Sequence, residues 1–163
     1  MALNVGSNVI IEDDVEIGTG VYLGHNVILR KGTRIGNNTI IRENCVVAGD
    51  CTIGNEVVIK TGCLIGKRFI IEDNVFFGPM VVTSSLRKIP RIESSASYLL
   101  QEGAYLLDTV IKKYCILGAG CIIVSGVTIG PRVMIGAGSI VTKSIAESGV
   151  YYGNPLTRKG DYE

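Results

Sequence analysis

Residues 53–66 read IGNEVVIKTGCLIG, a stretch in which isoleucine returns at every sixth position. Aliphatic or aromatic residues keep this spacing without a slip from Val5 to Phe77, and a second block resumes it from Ile111 to Val141. A helix with about 3.6 residues per turn cannot hold a six-residue register. The repeat therefore predicts an all-β solenoid in which each hexad forms one short strand and one turn.

The other positions of the hexad support this prediction. Three residues after the aliphatic position, most hexads carry Asn, Asp or Gly, such as Asn8, Asp14 and Gly20, which tolerate the positive φ of a corner. Four residues after it lies a compact residue, and all five cysteines hold that position: Cys45, Cys51, Cys63, Cys115 and Cys121. We therefore predict that the cysteines are small core residues rather than nucleophiles or metal ligands. Five unpaired thiols also favour a reducing, cytoplasmic location.

A segment without hexads interrupts the repeat at residues 83–104. Such a long excursion within a compact domain is typically functional or disordered. Its clustered Arg87 and Lys88 suit a ligand contact, and they equally suit a solvated loop. The prediction is a single domain over residues 1–163, with coils at 5–82 and 105–146, an inserted loop at 83–104 and a tail at 147–163.

Composition excludes several classes of function. Lys and Arg number 16 and Asp and Glu 15, so a net charge of +1 offers no footprint for nucleic acid or an anionic membrane. No apolar run reaches the roughly 18 residues that a membrane-spanning helix needs. The first residues carry no basic, signal-like region.

The hexad itself resembles a known family. An aliphatic residue followed by Gly, as at Gly6, Gly18 and Gly24, resembles the hexapeptide-repeat acyltransferases. The resemblance implies a left-handed parallel β-helix with three hexads per coil, about seven coils for this chain by that hexad spacing, and a homotrimer. It also implies acetyl-CoA or another acyl-CoA as co-substrate, with no permanently bound cofactor.

Two segments narrow the resemblance to one branch of that family. Residues 53–83 and 125–145, with the ending Gly153-Asn154-Pro155, look most like the enzymes that N-acetylate nucleotide-linked amino sugars. Met80 and residues 82–85 differ from the residues common in that branch. The resemblance therefore supports the acyl donor more strongly than the acceptor.

Acyl transfer needs a slot for pantetheine and cations for the CoA phosphates. The pairs Gly118-Ala119 and Gly136-Ala137 put nearly bare backbone at corners, and the resemblance implies that pantetheine runs along them between two subunits. The alternative is that they are ordinary turn residues and that the basic tail is merely solvated. The predicted acyl-CoA-binding residues are Gly118, Ala119, Gly136, Ala137, Thr142, Lys143, Asn154, Pro155, Arg158 and Lys159.

Stacking arithmetic suggests an acceptor site. With three hexads per coil, residues 18 apart lie one above another, so Arg42 and Lys60 form a pair of stacked cations. Stacked like charges are unfavourable unless an anion lies nearby, and either Glu43 or a ligand diphosphate fills that need. The predicted acceptor-binding residues are Arg42, Glu43, Lys60, Thr83, Arg87 and Lys88.

His25 is the only histidine and lies 18 residues before Glu43, so a carboxylate-held general base is one interpretation. A solvated corner histidine is the other, and the departing sulfur then takes the proton. One histidine cannot supply the three metal ligands of the carbonic anhydrases that share this fold, and we predict no metal site.

The predicted function is an acyl-CoA-dependent N-acyltransferase that acts on the amine of a nucleotide-linked amino sugar. The alternatives are an acetyltransferase for another small acceptor, such as a sugar hydroxyl, an amino acid or an antibiotic, and a non-catalytic β-helix scaffold. The predicted partners are these small molecules and two further copies of the chain.

Overall fold

The computed structural model describes residues 3–85, 94 and 106–162. Within that part of the chain every regular element is a β-strand, and the strands form three sheets along the solenoid. Successive strands enter successive sheets, so three hexads close one coil and about seven parallel coils stack. The predicted all-β hexapeptide fold is confirmed, and it is consistent with the left-handed β-helix that the resemblance implies.

Strand numbers follow the chain, and we name the sheets A, B and C. Sheet A contains β1 (Asn4–Val5), β4 (Tyr22–Leu23), β7 (Ile40–Ile41), β10 (Val58–Ile59), β13 (Phe76–Phe77), β16 (Ile116–Leu117), β19 (Val133–Ile135), β21 (Gly149–Tyr152) and β22 (Thr157–Gly160). Sheet B contains β2 (Ile10–Ile11), β5 (Ile28–Leu29), β8 (Val46–Val47), β11 (Leu64–Ile65), β14 (Val82–Thr83), β17 (Ile122–Ile123) and β20 (Ile140–Val141). Sheet C contains β3 (Glu16–Ile17), β6 (Arg34–Ile35), β9 (Thr52–Ile53), β12 (Phe69–Ile71), β15 (Thr109–Ile111) and β18 (Thr128–Ile129).

The register between coils follows the repeat. Ile40 pairs in parallel with Tyr22 on one side and with Val58 on the other, a spacing of one coil in each direction. The insertion leaves the solenoid after β14 and the chain returns at β15, where Phe69 pairs with Thr109 across it. Because the hexads resume in register with the coil before the insertion, the core continues through this point without a gap.

The aliphatic and compact positions of the hexad form the core. Leu23, Ile41 and Ile59 are fully buried. All five cysteines are free and buried, which confirms their predicted place among the core residues. Their thiols donate to corner carbonyl groups, as Cys51 Sγ does to Gly66 O at 3.1 Å and Cys115 Sγ to Gly130 O at 2.9 Å.

Burial makes the Cys51 and Cys115 thiols poor acids and poor nucleophiles. It raises the pKa of Cys51 and of Cys115 from an ordinary 9.0 to about 11. We expect all five thiols to resist alkylation in the folded protein at pH 8 and to react after unfolding in urea. Because the folded pKa is the higher one, stability from these two thiols is complete below about pH 9 and falls as pH rises towards 11. Rapid thiol labelling of the folded chain would contradict this placement.

Three corners connect the sheets. Corner A leads from sheet A to sheet B, as in residues 60–62; corner B leads from sheet B to sheet C, as in 66–68; corner C leads back to sheet A, as in 54–56. The third residue of a corner has a positive φ, with values of 57° at Asn8 and 60° at Asn44. The predicted corner role of Asn, Asp and Gly is therefore confirmed at these positions.

The outward faces of the three sheets differ in polarity. The outward residues of sheet A are Tyr22, Ile40, Val58, Phe76, Ile116 and Met134. Those of sheet B are Ile10, Ile28, Val46, Leu64, Val82, Ile122 and Ile140. Sheet C is mostly polar there, with Glu16, Arg34, Thr52 and Thr128. Two apolar faces therefore meet at corner A.

Both ends of the insertion are held at corner B. The Lys67 N–H donates to Ser85 Oγ at 3.0 Å on the outgoing side. On the returning side, Arg68 Nε lies 2.7 Å from Asp108 Oδ1. The described residues contain no helix long and apolar enough to cross a membrane.

Candidate functional site

A file of five residues runs along corner A, one in each of five consecutive coils: Arg42, Lys60, Gly78, Gly118 and Gly136. Backbone hydrogen bonds hold the file together. The N–H of each of the first four members donates to the carbonyl oxygen of the strand residue just before the next member. The N···O distances are 2.8 Å for Arg42 to Ile59, 3.0 Å for Lys60 to Phe77 and 2.7 Å for Gly78 to Leu117. The file is cationic at one end and bare backbone at the other.

The bare end requires glycine. A Cβ placed on Gly118 would lie 2.5 Å from Ala137 N, and one on Gly78 would lie 2.7 Å from Ala119 N. Backbone atoms at these distances cannot move aside cheaply, so a side chain at either position would force the coils apart. The predicted Gly-Ala pairs thus stack directly, one coil upon the next.

At several corners the N–H of the second residue is capped by a side chain of the coil above. Asn37, Asn55 and Asp73 on corner C each accept, through Oδ1, the backbone N–H of the residue 18 earlier, at 2.8, 2.8 and 2.6 Å. The strand ladder has no acceptor for this N–H, so a side-chain oxygen supplies one.

Corner A lacks this cap beside its glycines. Ala119 lies below Ala137, and Ala137 lies below Gly153, so neither position above offers a side-chain oxygen. Within the described residues the N–H groups of Ala119 and Ala137 have no acceptor, and both residues are exposed. Two free donors on bare backbone can bind the amide oxygens of an extended ligand or a developing oxyanion.

The cationic end of the file is only partly neutralised. The Arg42 guanidinium lies 5.4 Å from the centre of the Tyr22 ring, and its Nε is 3.4 Å from Glu43 Oε2. Thr61 Oγ1 donates to the same carboxylate oxygen at 3.2 Å. The Glu43 backbone N–H, Thr61 and Arg42 together lower the pKa of the Glu43 carboxyl. The Lys60 ammonium has no ion-pair partner among the described residues.

His25 lies in the same corner, far towards the N-terminal end. Its Nδ1 accepts the Ser7 N–H at 2.8 Å, so it caps the coil below as Asn37 does. A neutral imidazole that accepts at Nδ1 carries its proton on Nε2, and the exposed nitrogen is then a donor. General-base catalysis by His25 stays a prediction, and this geometry favours a capping role.

Two family profiles match the chain in sequence. The profile described as the GMPPB C-terminal domain covers residues 2–94, more than half of the chain. The profile described as bacterial transferase hexapeptide, six repeats, covers residues 108–143. The chain belongs to the GMPPB C-terminal domain family and to the hexapeptide-repeat transferases.

Two curated relatives of the chain are acetyltransferases. It is 46% identical over 52 residues, 32% of its length, to a dTDP-3-amino-3,6-dideoxy-α-D-galactopyranose 3-N-acetyltransferase of Aneurinibacillus thermoaerophilus. It is 36% identical over 90 residues, 55% of its length, to a galactoside O-acetyltransferase of Lactococcus lactis. The chain spans only 27% and 41% of the lengths of these two relatives.

Solved structures share the fold. An N-acyltransferase from Bacillus cereus, AntD, in complex with dTDP and coenzyme A superposes with a TM-score of 0.69 at 24% identity, over 98% of this chain and 84% of that one. A GDP-perosamine N-acetyltransferase from Caulobacter crescentus, with CoA and GDP-perosamine, gives a TM-score of 0.55 at 19% identity, over 97% and 58%.

The other residues predicted to bind acyl-CoA lie around two corners. Asn154 and Pro155 follow Gly153 at the top of corner A, whereas Thr142 and Lys143 follow β20 on corner B. One copy of the chain therefore does not bring Thr142 and Lys143 to the Gly118 file. Contacts of all four with acyl-CoA stay predictions.

The basic tail is engaged within the chain. Arg158 contacts Asp161 Oδ1 at 2.6 Å and Glu147 Oε1 at 3.4 Å, and Asp161 raises the pKa of its guanidinium. The Lys159 ammonium lies 5.3 Å from the centre of the Tyr152 ring. The Arg158 guanidinium is therefore already paired with two carboxylates, which weakens its attraction for a ligand phosphate.

Thr83, predicted to begin the inserted loop and to bind the acceptor, is instead the last residue of β14 and is buried. It is 2% exposed, its hydroxyl accepts the Gly66 N–H and it donates to Leu64 O at 3.0 Å. A direct contact between this side chain and an acceptor has no support in the geometry. The predicted contacts of Arg87 and Lys88 lie outside the described residues.

Gly78 is a member of the site that the sequence did not indicate. Gly78 heads the bare end of the file, directly below Gly118. The insertion hides this relation, since the two glycines are one coil apart in space and 40 residues apart in sequence. Subtracting the insertion before counting coils would have aligned them.

Proposed function

We propose that this chain is an acyl-CoA-dependent N-acyltransferase, with acetyl-CoA as donor and the amine of a nucleotide-linked amino sugar as acceptor. The single observation that carries the proposal is the file on corner A. It joins two stacked cations, Arg42 and Lys60, to three stacked glycines, Gly78, Gly118 and Gly136, in one continuous line. Such a line suits two ligands that meet end to end, one carrying a diphosphate and one a long amide-containing arm.

The glycine end suits the pantetheine arm. An extended chain with two amides can lie on backbone that has no side chains and can accept from the N–H groups of Ala119 and Ala137. The relatives named above act on N- and O-acceptors, and two structural neighbours hold coenzyme A. Those facts support acyl-CoA as the donor.

The cationic end suits the acceptor's diphosphate. Lys60 is exposed, and Arg42 is held by Tyr22 and Glu43 with part of its guanidinium still open. Neighbouring strands lie about 4.8 Å apart, so Lys60 is roughly 10 Å from the Gly118 coil. That separation leaves room for a sugar between the diphosphate and the thioester.

The reaction forms one bond and breaks one. The neutral amine attacks the thioester carbonyl carbon, a C–N bond forms, and the C–S bond breaks to release CoA. The amine proton passes to the departing thiolate, so the products are an amide and a thiol. A free N–H on corner A stabilises the oxyanion of the intermediate.

A second copy completes this site in our proposal. Thr142 and Lys143 lie on corner B, and they reach a ligand on corner A only if another subunit brings its corner B there. The apolar outward faces of sheets A and B flank corner A, and monomers seldom leave such faces uncovered. We therefore propose a homotrimer. Its free buried thiols suit the cytoplasm.

The direct test is release of CoA from acetyl-CoA in the presence of UDP- and dTDP-linked amino sugars. We expect at least one amino sugar nucleotide to drive CoA release, with its hydroxyl counterpart inactive. Release that requires the hydroxyl sugars instead would contradict N-acylation. No release with any acceptor, from a chain that binds acetyl-CoA, would contradict the proposed acceptor class.

The stacked cations should control acceptor binding. The double variant Arg42→Ala with Lys60→Ala should raise KM for the sugar nucleotide by about 30-fold, because two charge-assisted contacts are lost. KM for acetyl-CoA should change little. Lys112→Ala, which removes a cation from corner C, is the matched control. An unchanged KM for the sugar nucleotide in the double variant would remove Arg42 and Lys60 from the site.

His25 provides a separate check on the proton path. His25→Asn keeps a side-chain acceptor for the Ser7 N–H but removes the imidazole. We expect kcat to stay within about twofold of the original, because His25 takes no part in proton transfer in our proposal. Loss of a general base typically lowers the rate roughly 100-fold or more. A kcat loss of that size would restore His25 as the base.

A further inference from the structure

A groove of about 560 Å³ opens on corner B, away from the file on corner A. Its floor is Ala48 and Gly49. A methyl group at one position and a hydrogen at the other leave the corner unfilled. Arg30 and Lys31 line it from the coil below, and Lys67 lines it from the coil above.

The floor of this groove holds an uncapped donor. Gly49 has a φ of 104° and is buried, and its N–H has no acceptor among the described residues. The residue above it is Lys67, whose side chain only donates and cannot serve as a cap. One coil higher the cap is present, because Ser85 Oγ accepts the Lys67 N–H. A buried N–H without an acceptor normally has a ligand or water as its partner.

The charges around the groove leave a positive excess. Glu12 bonds the Arg30 guanidinium and accepts the Lys31 N–H at 3.0 Å, so this carboxylate is occupied. Lys31 Nζ lies 3.5 Å from Asp14 in a well-exposed pair, which water screens.

Asp50 is the second carboxylate on the groove, so the lining carries three cations, Arg30, Lys31 and Lys67, against two carboxylates. Asp50 Oδ1 rests against Gly32, where a Cβ would come within 2.7 Å of it. Lys67 has no ion-pair partner among the described residues.

We propose that corner B binds a phosphoryl anion, held by the Gly49 N–H, the Lys67 ammonium and the Lys31 ammonium. A phosphoryl group offers several oxygens and so accepts from all three donors together, whereas a neutral ligand leaves the cations unpaired. The anion belongs to a free phosphate or diphosphate, or to a phosphate carried by a nucleotide or by CoA. The site stands independently of acyl transfer on corner A.

The test is amide NMR of the 163-residue chain titrated with inorganic pyrophosphate. The Gly49 amide should shift in a saturable way, and Lys67→Met should weaken binding at least tenfold while Lys67→Arg retains it. Lys113→Met, at the equivalent position of corner C, should bind as the original does. A Gly49 amide that does not move, or an unchanged affinity in Lys67→Met, overturns the proposal.

Further titrations with dTDP and with CoA distinguish the sources of the phosphate. The source of the phosphate is the ligand that shifts the Gly49 amide resonance at the lowest concentration and that also binds less tightly to Lys67→Met. Acetyl-CoA binding at corner A is tested separately, with the variant Ala137→Phe. Absence of binding at one corner can therefore be distinguished from absence of binding at the other.

Discussion

Replacing Ala137 by phenylalanine should weaken acetyl-CoA binding by at least about 100-fold. Ala137 is exposed and stacks on Gly118, so a ring at this position occupies the bare corner where pantetheine is proposed to lie. Loss of the whole amide-bearing arm's contacts corresponds to about 3 kcal/mol or more of binding free energy. Calorimetric titration of the variant with acetyl-CoA measures the effect, and KM for acetyl-CoA should rise in parallel.

Ala146→Phe is the matched control for this variant. It adds the same ring to an exposed alanine at the corner beyond β20, away from the Gly118 file. Both variants should unfold within a few degrees of the original protein, because neither alanine is in the core. Unchanged binding in Ala137→Phe, or equal losses in the two variants, would show that the corner A backbone does not hold the donor.

The second large effect concerns the core and uses two adjacent isoleucines of β12. Ile71 is 1% exposed and faces the interior, while Ile70 is 40% exposed on the outer face of sheet C. Ile71→Ala should lower the free energy of unfolding by roughly 2–5 kcal/mol, the usual cost of a large core truncation with its cavity. Ile70→Ala should cost less than about 1 kcal/mol.

Urea unfolding of the two variants, at equal protein concentration, compares them directly. The pair holds residue type, strand and coil constant, so only the direction of the side chain differs. Equal losses in the two variants would contradict the inward and outward alternation on which the solenoid rests.

The period of the sequence was enough to predict the core. An inward residue every sixth position can form one continuous interior only if each hexad is one side of a coil, and Leu23, Ile41 and Ile59 stack as that requires. The cysteine placement followed from the same logic, because position within the hexad determines burial. The corner residues followed from their φ preferences, which act locally and need no tertiary information.

The site was less accessible to sequence reasoning, because its features depend on what lies above and below each corner. The sequence places Thr83 at the start of the insertion, and only the structure shows that it ends β14 with its hydroxyl bonded to the Gly66 N–H. Arg158 reads as a free cation until Asp161 and Glu147 are placed beside it. For His25 the sequence leaves a general base and a solvated residue open, and only the structure shows its Nδ1 accepting the Ser7 N–H.

Stacking by 18 residues was nevertheless informative where no insertion intervened. It placed Arg42 below Lys60 on one corner, which the backbone hydrogen bonds confirm. It did not show that the glycines continue the same file, because the insertion changes the count between Gly78 and Gly118. The free N–H groups of Ala119, Ala137 and Gly49 emerge only once the residue above each of them in the next coil is known.

The most direct measurement is a calorimetric titration of the purified protein with acetyl-CoA, together with its mass in solution. We predict about one acetyl-CoA bound per chain at micromolar strength, by a particle of about three times 17.4 kDa. A folded trimer that binds no acetyl-CoA would contradict acyl transfer on corner A and would leave the β-helix as a scaffold.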